Sequence, residues 1–462
     1  MVFSSLIFIF RFLPIALIIY FLTPKKYRNL SIFILSLIFY GWGEIRYMPI
    51  LLITVVVDYL VSNEIDRHFK DRKRCKIILG ISIAINLGLL CLFKYTDFFI
   101  QNINDTLHVA VPFLELSLPL GISFYTFQTM SYTIDVYRGK IKAEKNIINF
   151  GAFVALFPQL IAGPIVRYTD IQHELKNRII SLDQMRDGIE LFIFGLASKV
   201  LIANSVGSLW TEVQGMGFDG ISTPLAWMSV LAFTFQIYFD FSGYSLMAIG
   251  LGKILGFQFP QNFNYPYISR SMTEFWRRWH MTLGSWFKEY VYFPLGGSRK
   301  GKARTYLNLF IVWAATGFWH GASWNFVLWG LFFFVLISLE KEFFLDFLQR
   351  DTPTSKVVSR VYFIFFTLLG WSIFAITDVS QLQTFFAKLF VFENGIDYLY
   401  YLRNYMGVFV FATLFATPAL KNTWEKLEKN GWVRTAVLVV LFLLSVAYIV
   451  DSSYNPFLYF RF

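Results

Sequence analysis

Two histidines stand out by their setting. Of the five in this 462-residue chain, His280 closes the run SMTEFWRRWH and His320 lies inside TGFWHGASW. Imidazole takes and gives a proton near neutral pH. In an apolar setting it can act as a general base, removing the proton of a hydroxyl as that hydroxyl attacks an activated carbonyl. Gly317, Gly321 and Ala322 leave the backbone around His320 slim and open to close approach. The rival reading of His320 is a structural histidine bonded across helices. For His280 it is membership of an amphipathic aromatic face built with Phe275, Trp276, Trp279, Leu283, Trp286 and Phe287. There is no serine elbow, no cysteine in a nucleophile setting, no zinc spacing and no nucleotide-binding loop. Cys75 and Cys91 form no metal pattern and require no disulfide.

Other polar candidates cluster near these two. Trp319 and Asn325 flank His320, and Asp240 and Tyr244 sit in YFDFSGYS. A carboxylate at membrane depth is expensive, so Asp240 is either functional or the partner of a buried cation or tyrosine. Lys199, deep in an apolar helix, reads as snorkelling before it reads as catalytic. Arg277, Arg278, Lys288 and Arg299 could attract the phosphates of an acyl donor, although basic clusters beside membranes are first of all topology signals.

The elements that must position these groups are membrane helices. The chain is 56% hydrophobic, with 54 Phe and 25 Tyr, and its mean hydropathy is +0.53. Its apolar runs are continuous, where a transmembrane barrel would alternate. The net charge of +11 falls between those runs, as membrane topology requires, and does not indicate nucleic acid. The expectation is an all-α polytopic membrane protein of the bacterial plasma membrane. About ten or eleven membrane segments, some short or re-entrant, should surround a central funnel or tunnel.

In chain order, 4–23 is a first span with no basic leader or cleavage site, so it should be retained, with Arg11 and Pro14 inside it. Segments 30–43 and 47–62 form an out-and-back hairpin between basic loops, which places the N-terminus outside. Residues 77–93 cross outward, 94–117 lie outside and 118–136 return. The stretch 148–165 is broken by Pro158, Gly163 and Pro164, and reads as a re-entrant or steeply tilted piece lining a cavity, with an interfacial helix as the alternative. Then come a helix from Asp187 to Asn204, a long span 224–251 interrupted at YFDFSGYS, and an aromatic, basic region to Arg304. Residues 307–339 should be two segments meeting near His320. A charged loop follows to Arg360, then spans 361–376, 405–418 and 435–450, with 378–404 outside. The whole chain, 1–462, is expected to form one membrane-embedded domain with its core motifs in 118–340.

These residues carry a resemblance. QLIAGPIVRYTDI at 159–171, YFDFSGYSLMAIGLGKILGFQFPQNFNYPY at 238–267, SMTEFWRRWHMTLGSWFKEYVYFPLGG at 271–297 and TGFWHGASWNFVLWG at 316–330 resemble the membrane-bound O-acyltransferase family. WSIFAITD at 371–378 and NPFLYFRF at 455–462 extend the likeness. It is strongest to the bacterial branch of alginate and peptidoglycan O-acetyltransferase membrane subunits. The resemblance implies transfer of an acyl group from a thioester to a hydroxyl through a tunnel, with His320 as the invariant histidine and His280 as the second. It implies no permanently bound cofactor, a donor such as acetyl-coenzyme A or a phosphopantetheinyl carrier protein, and a helper protein that hands the acyl group to a polysaccharide or peptidoglycan. Leu246 stands where that branch often has an acid. Teichoic acid D-alanyl transfer is the nearer rival, and a transporter the rival of another class, although no repeated halves are visible.

Overall fold

The computed structural model describes residues 1–427, 430–451 and 458, and they contain helices and no strand. After a π turn at Phe8–Phe12 come α1 (Leu13–Leu22), α2 (Arg28–Glu44), α3 (Met48–Arg67), α4 (Arg72–Lys94) and α5 (Thr96–Leu107). Next are α6 (Ile122–Arg138), α7 (Ile147–Ala155), α8 (Phe157–Leu160), α9 (Tyr168–Lys176) and α10 (Leu182–Ala197). A π turn at Ser198–Ala203 joins α10 to α11 (Asn204–Met216), and α12 runs from Thr223 to Ile254. Two short helices follow, α13 (Met272–Arg278) and α14 (Met281–Phe287), then α15 (Lys302–His320) and α16 (Trp324–Leu339). The remainder are α17 (Leu345–Gln349), α18 (Pro353–Ala375), α19 (Val379–Phe390), α20 (Asp397–Phe415), α21 (Lys421–Lys426) and α22 (Gly431–Asp451).

Among the described residues, five helical stretches are long and apolar enough to cross a membrane: Lys25–Arg67, Arg72–Lys94, Leu182–Met216, Pro353–Ala375 and Gly431–Asp451. The last exposes Val439, Val440, Leu443 and Leu444, which is the surface a lipid-facing helix needs. The chain is a multi-pass membrane protein.

The helices form two compact units, Met1–Phe192 with Ser245–Pro260, and Ile193–Tyr244 with Gln261–Phe462. In the first, α3, α4 and α6 are tied by Asp58, whose carboxylate accepts hydrogen bonds from Ser82 at 2.6 Å, Asn86 at 2.9 Å and Thr133 at 3.3 Å. Small polar side chains of this kind hold helices together where lipid supplies no hydrophobic drive. The broken stretch 148–165 lies in this unit, buried from Phe150 onward. Its freed backbone groups find partners: the Phe157 N–H donates to Ser36 at 3.1 Å, and the Gln159 amide donates to the Phe153 carbonyl at 2.6 Å. The stretch is therefore enclosed by protein.

The second unit contains both histidines. Two expectations are corrected here. The YFDFSGYS stretch does not interrupt its span: α12 is continuous for 32 residues. Gly243 serves close packing there, since a methyl group on it would lie 2.7 Å from the Gly195 carbonyl oxygen of α10. Conversely, the aromatic stretch around FWRRWH is not one amphipathic helix. It breaks at His280, whose φ of 43° is left-handed, leaving α13 and α14 as seven-residue pieces. The break expected within 307–339 is present, with α15 ending at His320 and α16 starting at Trp324.

Candidate active site

The hairpin of α15 and α16 is the closest helix pairing at the site. A methyl group on Gly317 would collide with the Phe326 carbonyl oxygen, and one on Gly330 with the Trp313 carbonyl oxygen. The two backbones therefore touch, and His320 at the end of α15 is fixed relative to Trp329 on α16. The His320 ring meets Trp329 edge-on at 4.9 Å, Phe374 at 5.3 Å and Trp319 at 5.0 Å. Asn325 anchors the start of α16 by donating from its amide to the Ile373 and Phe374 carbonyls at 3.1 and 3.0 Å. These carbonyls belong to the last turn of α18, where helical acceptors lose their internal partners.

His320 lines a small cavity with Ile237, Asp240, Phe241, Trp279, Trp329, Trp371, Phe374 and Leu458. Asp240 and His320 are the ionisable side chains of this lining; the others are aromatic or aliphatic. Asp240 is 3% exposed and is paired with Lys199, which is 1% exposed, at 2.6 Å. Lys199 therefore does not snorkel. The π turn at Ser198–Ala203 presents it inward, and its ammonium also donates to Asn204 at 3.2 Å. The other oxygen of Asp240 accepts the backbone N–H of Leu458 at 2.9 Å. The remainder of the NPFLYFRF motif lies outside the described residues. Tyr244, one turn beyond Asp240 on α12, is fully buried and is not part of the cavity lining.

His280 is 2% exposed and sits beside this arrangement. Its ring stands edge-on to Phe241 at 4.7 Å, next to Asp240 in sequence, and lies 6.1 Å from the Trp319 ring. Trp319 thus contacts both histidines. His280 Nδ1 pairs with the Asn262 carbonyl oxygen at 3.1 Å, and that oxygen also accepts the Thr282 hydroxyl at 2.8 Å. An amide oxygen only accepts, so Nδ1 carries the proton and Nε2 is the basic nitrogen of the neutral ring. The backbone holds this turn as well, with Met281 N–H on the Asn262 carbonyl and Asn264 N–H on the Arg278 carbonyl, both 2.9 Å.

None of the four basic candidates lines the cavity. Arg277, Lys288 and Arg299 are exposed, and the Lys288 ammonium lies 5.6 Å from the Phe293 ring centre. Arg278 is engaged in structure, with Nε on Glu274 at 2.9 Å and Nη1 on the Asn264 carbonyl at 3.1 Å.

Two participants escaped the sequence reading. Glu340 is fully buried and caps α13: its carboxylate accepts the Met272 and Thr273 N–H groups at 2.5 and 2.8 Å and the Thr273 and Tyr362 hydroxyls at 2.6 and 3.1 Å. Sequence places it in a charged loop nearly seventy residues away from the helix it caps. Its neighbour Lys341 is the second. Although the side chain reaches solvent, desolvation by its surroundings, and then the nearby Arg277 guanidinium, push its ammonium below the usual lysine range.

The comparisons agree with this architecture. Residues 140–380 match the model of the membrane-bound O-acyltransferase family. The chain is 36% identical over 491 residues to the "Probable alginate O-acetylase" of Pseudomonas putida, with all of both chains covered. It is 32% identical over 522 residues to the "Peptidoglycan O-acetyltransferase" of Helicobacter pylori, covering 100% of this chain and 98% of that one. It is also 30% identical over 230 residues to the "Teichoic acid D-alanyltransferase" of Streptococcus thermophilus, covering 46% of this chain and 54% of that one. The chain belongs to the membrane-bound O-acyltransferase family. At that level it is an enzyme of acyl transfer to an extracytoplasmic acceptor.

Proposed function

We propose that this chain, acting as a single acyltransferase domain over 1–462, moves an acetyl group from a cytoplasmic thioester to a hydroxyl. The acceptor is an extracytoplasmic polysaccharide or cell-wall polymer, or a helper protein that passes the group onward. The observation that carries this reading is the cavity itself, where His320 and a charge-paired Asp240 face otherwise apolar walls. His320 is the general base. It takes the hydroxyl proton as the oxygen attacks the thioester carbonyl; the tetrahedral intermediate collapses, the carbon–sulfur bond breaks, and the thiolate recovers the proton. No acyl-enzyme forms. His280, held by Asn262, supports the donor carbonyl or a water beside it.

Acetyl is favoured by the relatives matched over their full length, whose names state O-acetylation, while the D-alanyltransferase match covers under half of this chain. Arg277, with Lys341 beside it and Lys288 and Arg299 further along, would receive the phosphates of acetyl-coenzyme A or a phosphopantetheinyl carrier. Two cations that repel each other are relieved by an anion. The helper would dock on 94–117 or 378–404. The first of these is a built surface, since Asp97 accepts the Leu114 and Glu115 N–H groups and folds the loop back onto α5.

The test is deletion of the gene followed by release of ester-linked groups from the surface polymers. Acetate should be lost and D-alanine retained, and complementation by His320→Ala should fail to restore it. His280→Ala should restore a small fraction. Loss of D-alanine instead, or full rescue by His320→Ala, overturns the reading.

A further inference from the structure

Acyl transfer puts negative charge on the carbonyl oxygen, so a base alone does not complete the site; a preorganised donor must face that oxygen. Asp240, when ionised, can only accept hydrogen bonds, and the Lys199 ammonium is directed to Asp240 and Asn204. Among the described residues of the lining, Trp279, Trp329 and Trp371 bring indole N–H groups.

Trp329 has the setting such a donor requires. It is fully buried, lines the cavity and contacts the His320 ring edge-on at 4.9 Å. Among the described residues its Nε1–H has no acceptor. An interior N–H left without a partner is costly, and native proteins rarely keep one without a use. Trp227 in this unit does find an acceptor, the Leu389 carbonyl at 3.1 Å, while the indole N–H groups of Trp276 and Trp371, like that of Trp329, have none among the described residues. Trp371 is stacked 6.2 Å from Trp329, and what favours Trp329 as donor is its edge-on contact with the His320 ring. The spacing between Trp329 and His320 is also rigid. Gly330 adjoins Trp329, Gly317 is three residues before His320, and these glycines let the two helix backbones touch.

We propose that the Trp329 indole N–H is the oxyanion donor of the transfer reaction. This rests on His320 being the base. As the acceptor oxygen bonds to the carbonyl carbon, the carbon–oxygen π pair moves to the carbonyl oxygen, which takes a hydrogen bond from Nε1–H. His320 holds the hydroxyl proton until the thiolate leaves with it. Trp329 loses no proton at any stage.

The test replaces only the donor. In the full-length chain, Trp329 is exchanged for 3-benzothienylalanine, which keeps the ring shape and puts sulfur where Nε1–H stands. Turnover is followed as thiol release from acetyl-coenzyme A, with membranes of a deletion strain as acceptor. Turnover should fall about 10²-fold, the usual effect of removing one oxyanion donor. The apparent donor constant, and binding of a non-reactive thioether analogue of acetyl-coenzyme A, should stay unchanged. The same exchange at Trp227, which does not line the cavity, should cost less than threefold. Turnover within twofold of the parent at position 329, in a preparation where His320→Ala is inactive, overturns the donor assignment and leaves the base intact. A weaker donor constant with unchanged turnover also overturns it, because Trp329 would then shape binding alone. Activity in His320→Ala defeats the underlying reading instead.

Discussion

Lys199 Nζ lies 2.6 Å from Asp240 Oδ1, and both side chains are almost completely buried. A pair this deep is costly to form and more costly to break, because removing one member strands the other charge. Asp240→Ala or Lys199→Ala should each destabilise the protein by about 3–5 kcal/mol. The double variant Lys199→Met with Asp240→Leu should recover most of that loss without recovering activity. Thermal unfolding in detergent, with transfer assayed in parallel, checks both parts. Equal loss in the single and double variants would contradict the pairing argument.

Glu340 should behave as a positioning residue. Glu340→Ala leaves two backbone N–H groups of α13 without acceptors, at a cost of about 1–3 kcal/mol. Because α13 carries Arg277 and leads directly into His280, donor affinity and turnover should both fall. Glu340→Gln, which retains one acceptor oxygen, should lie between the two. An unaltered donor constant in Glu340→Ala would separate α13 from donor binding.

Arg277 and Lys341 give a pH signature. Lysine binds an anion only below its own pKa, and Arg277 helps hold that pKa down. Arg277→Gln should therefore shift the alkaline loss of donor affinity to higher pH while weakening affinity at neutral pH. It should also reduce the salt dependence of donor binding. A profile that keeps its position would mean the two cations do not share a ligand.

Gly317→Ala should wedge α15 from α16 and move His320 away from Trp329. Overpacking of this kind costs about 1–3 kcal/mol. Turnover should drop more than folded yield, measured as activity per unit of monodisperse protein. Unchanged turnover would show that the hairpin tolerates movement at this point.

Much of this site was legible in the sequence. Glycines beside a lone histidine in an apolar run mark a helix end, and α15 does stop at His320. Local composition misled at YFDFSGYS, because Gly243 has two possible causes. A glycine can end a helix or let another helix approach, and only the position of α10 decides between them. Partnerships were less accessible. Lys199 and Asp240 were each recognised as out of place, yet nothing local pairs residues 41 apart. Glu340 looked like an ordinary loop acid because its four donors come from other elements. Trp329 is one of thirteen tryptophans, and nothing in the sequence distinguishes an indole that has an acceptor from one that lacks it.

The unbroken course of α12 restricts how the gene can change. Asp240 reaches Lys199 and the cavity, while Phe241 meets His280, so two consecutive residues serve different partners. Inserting one residue between Thr223 and Asp240 would turn both through about 100° and break both contacts together. An insertion of seven residues, close to two full turns, nearly restores the phase. Length variation among functional homologues in this stretch should therefore come in whole helical turns or be absent.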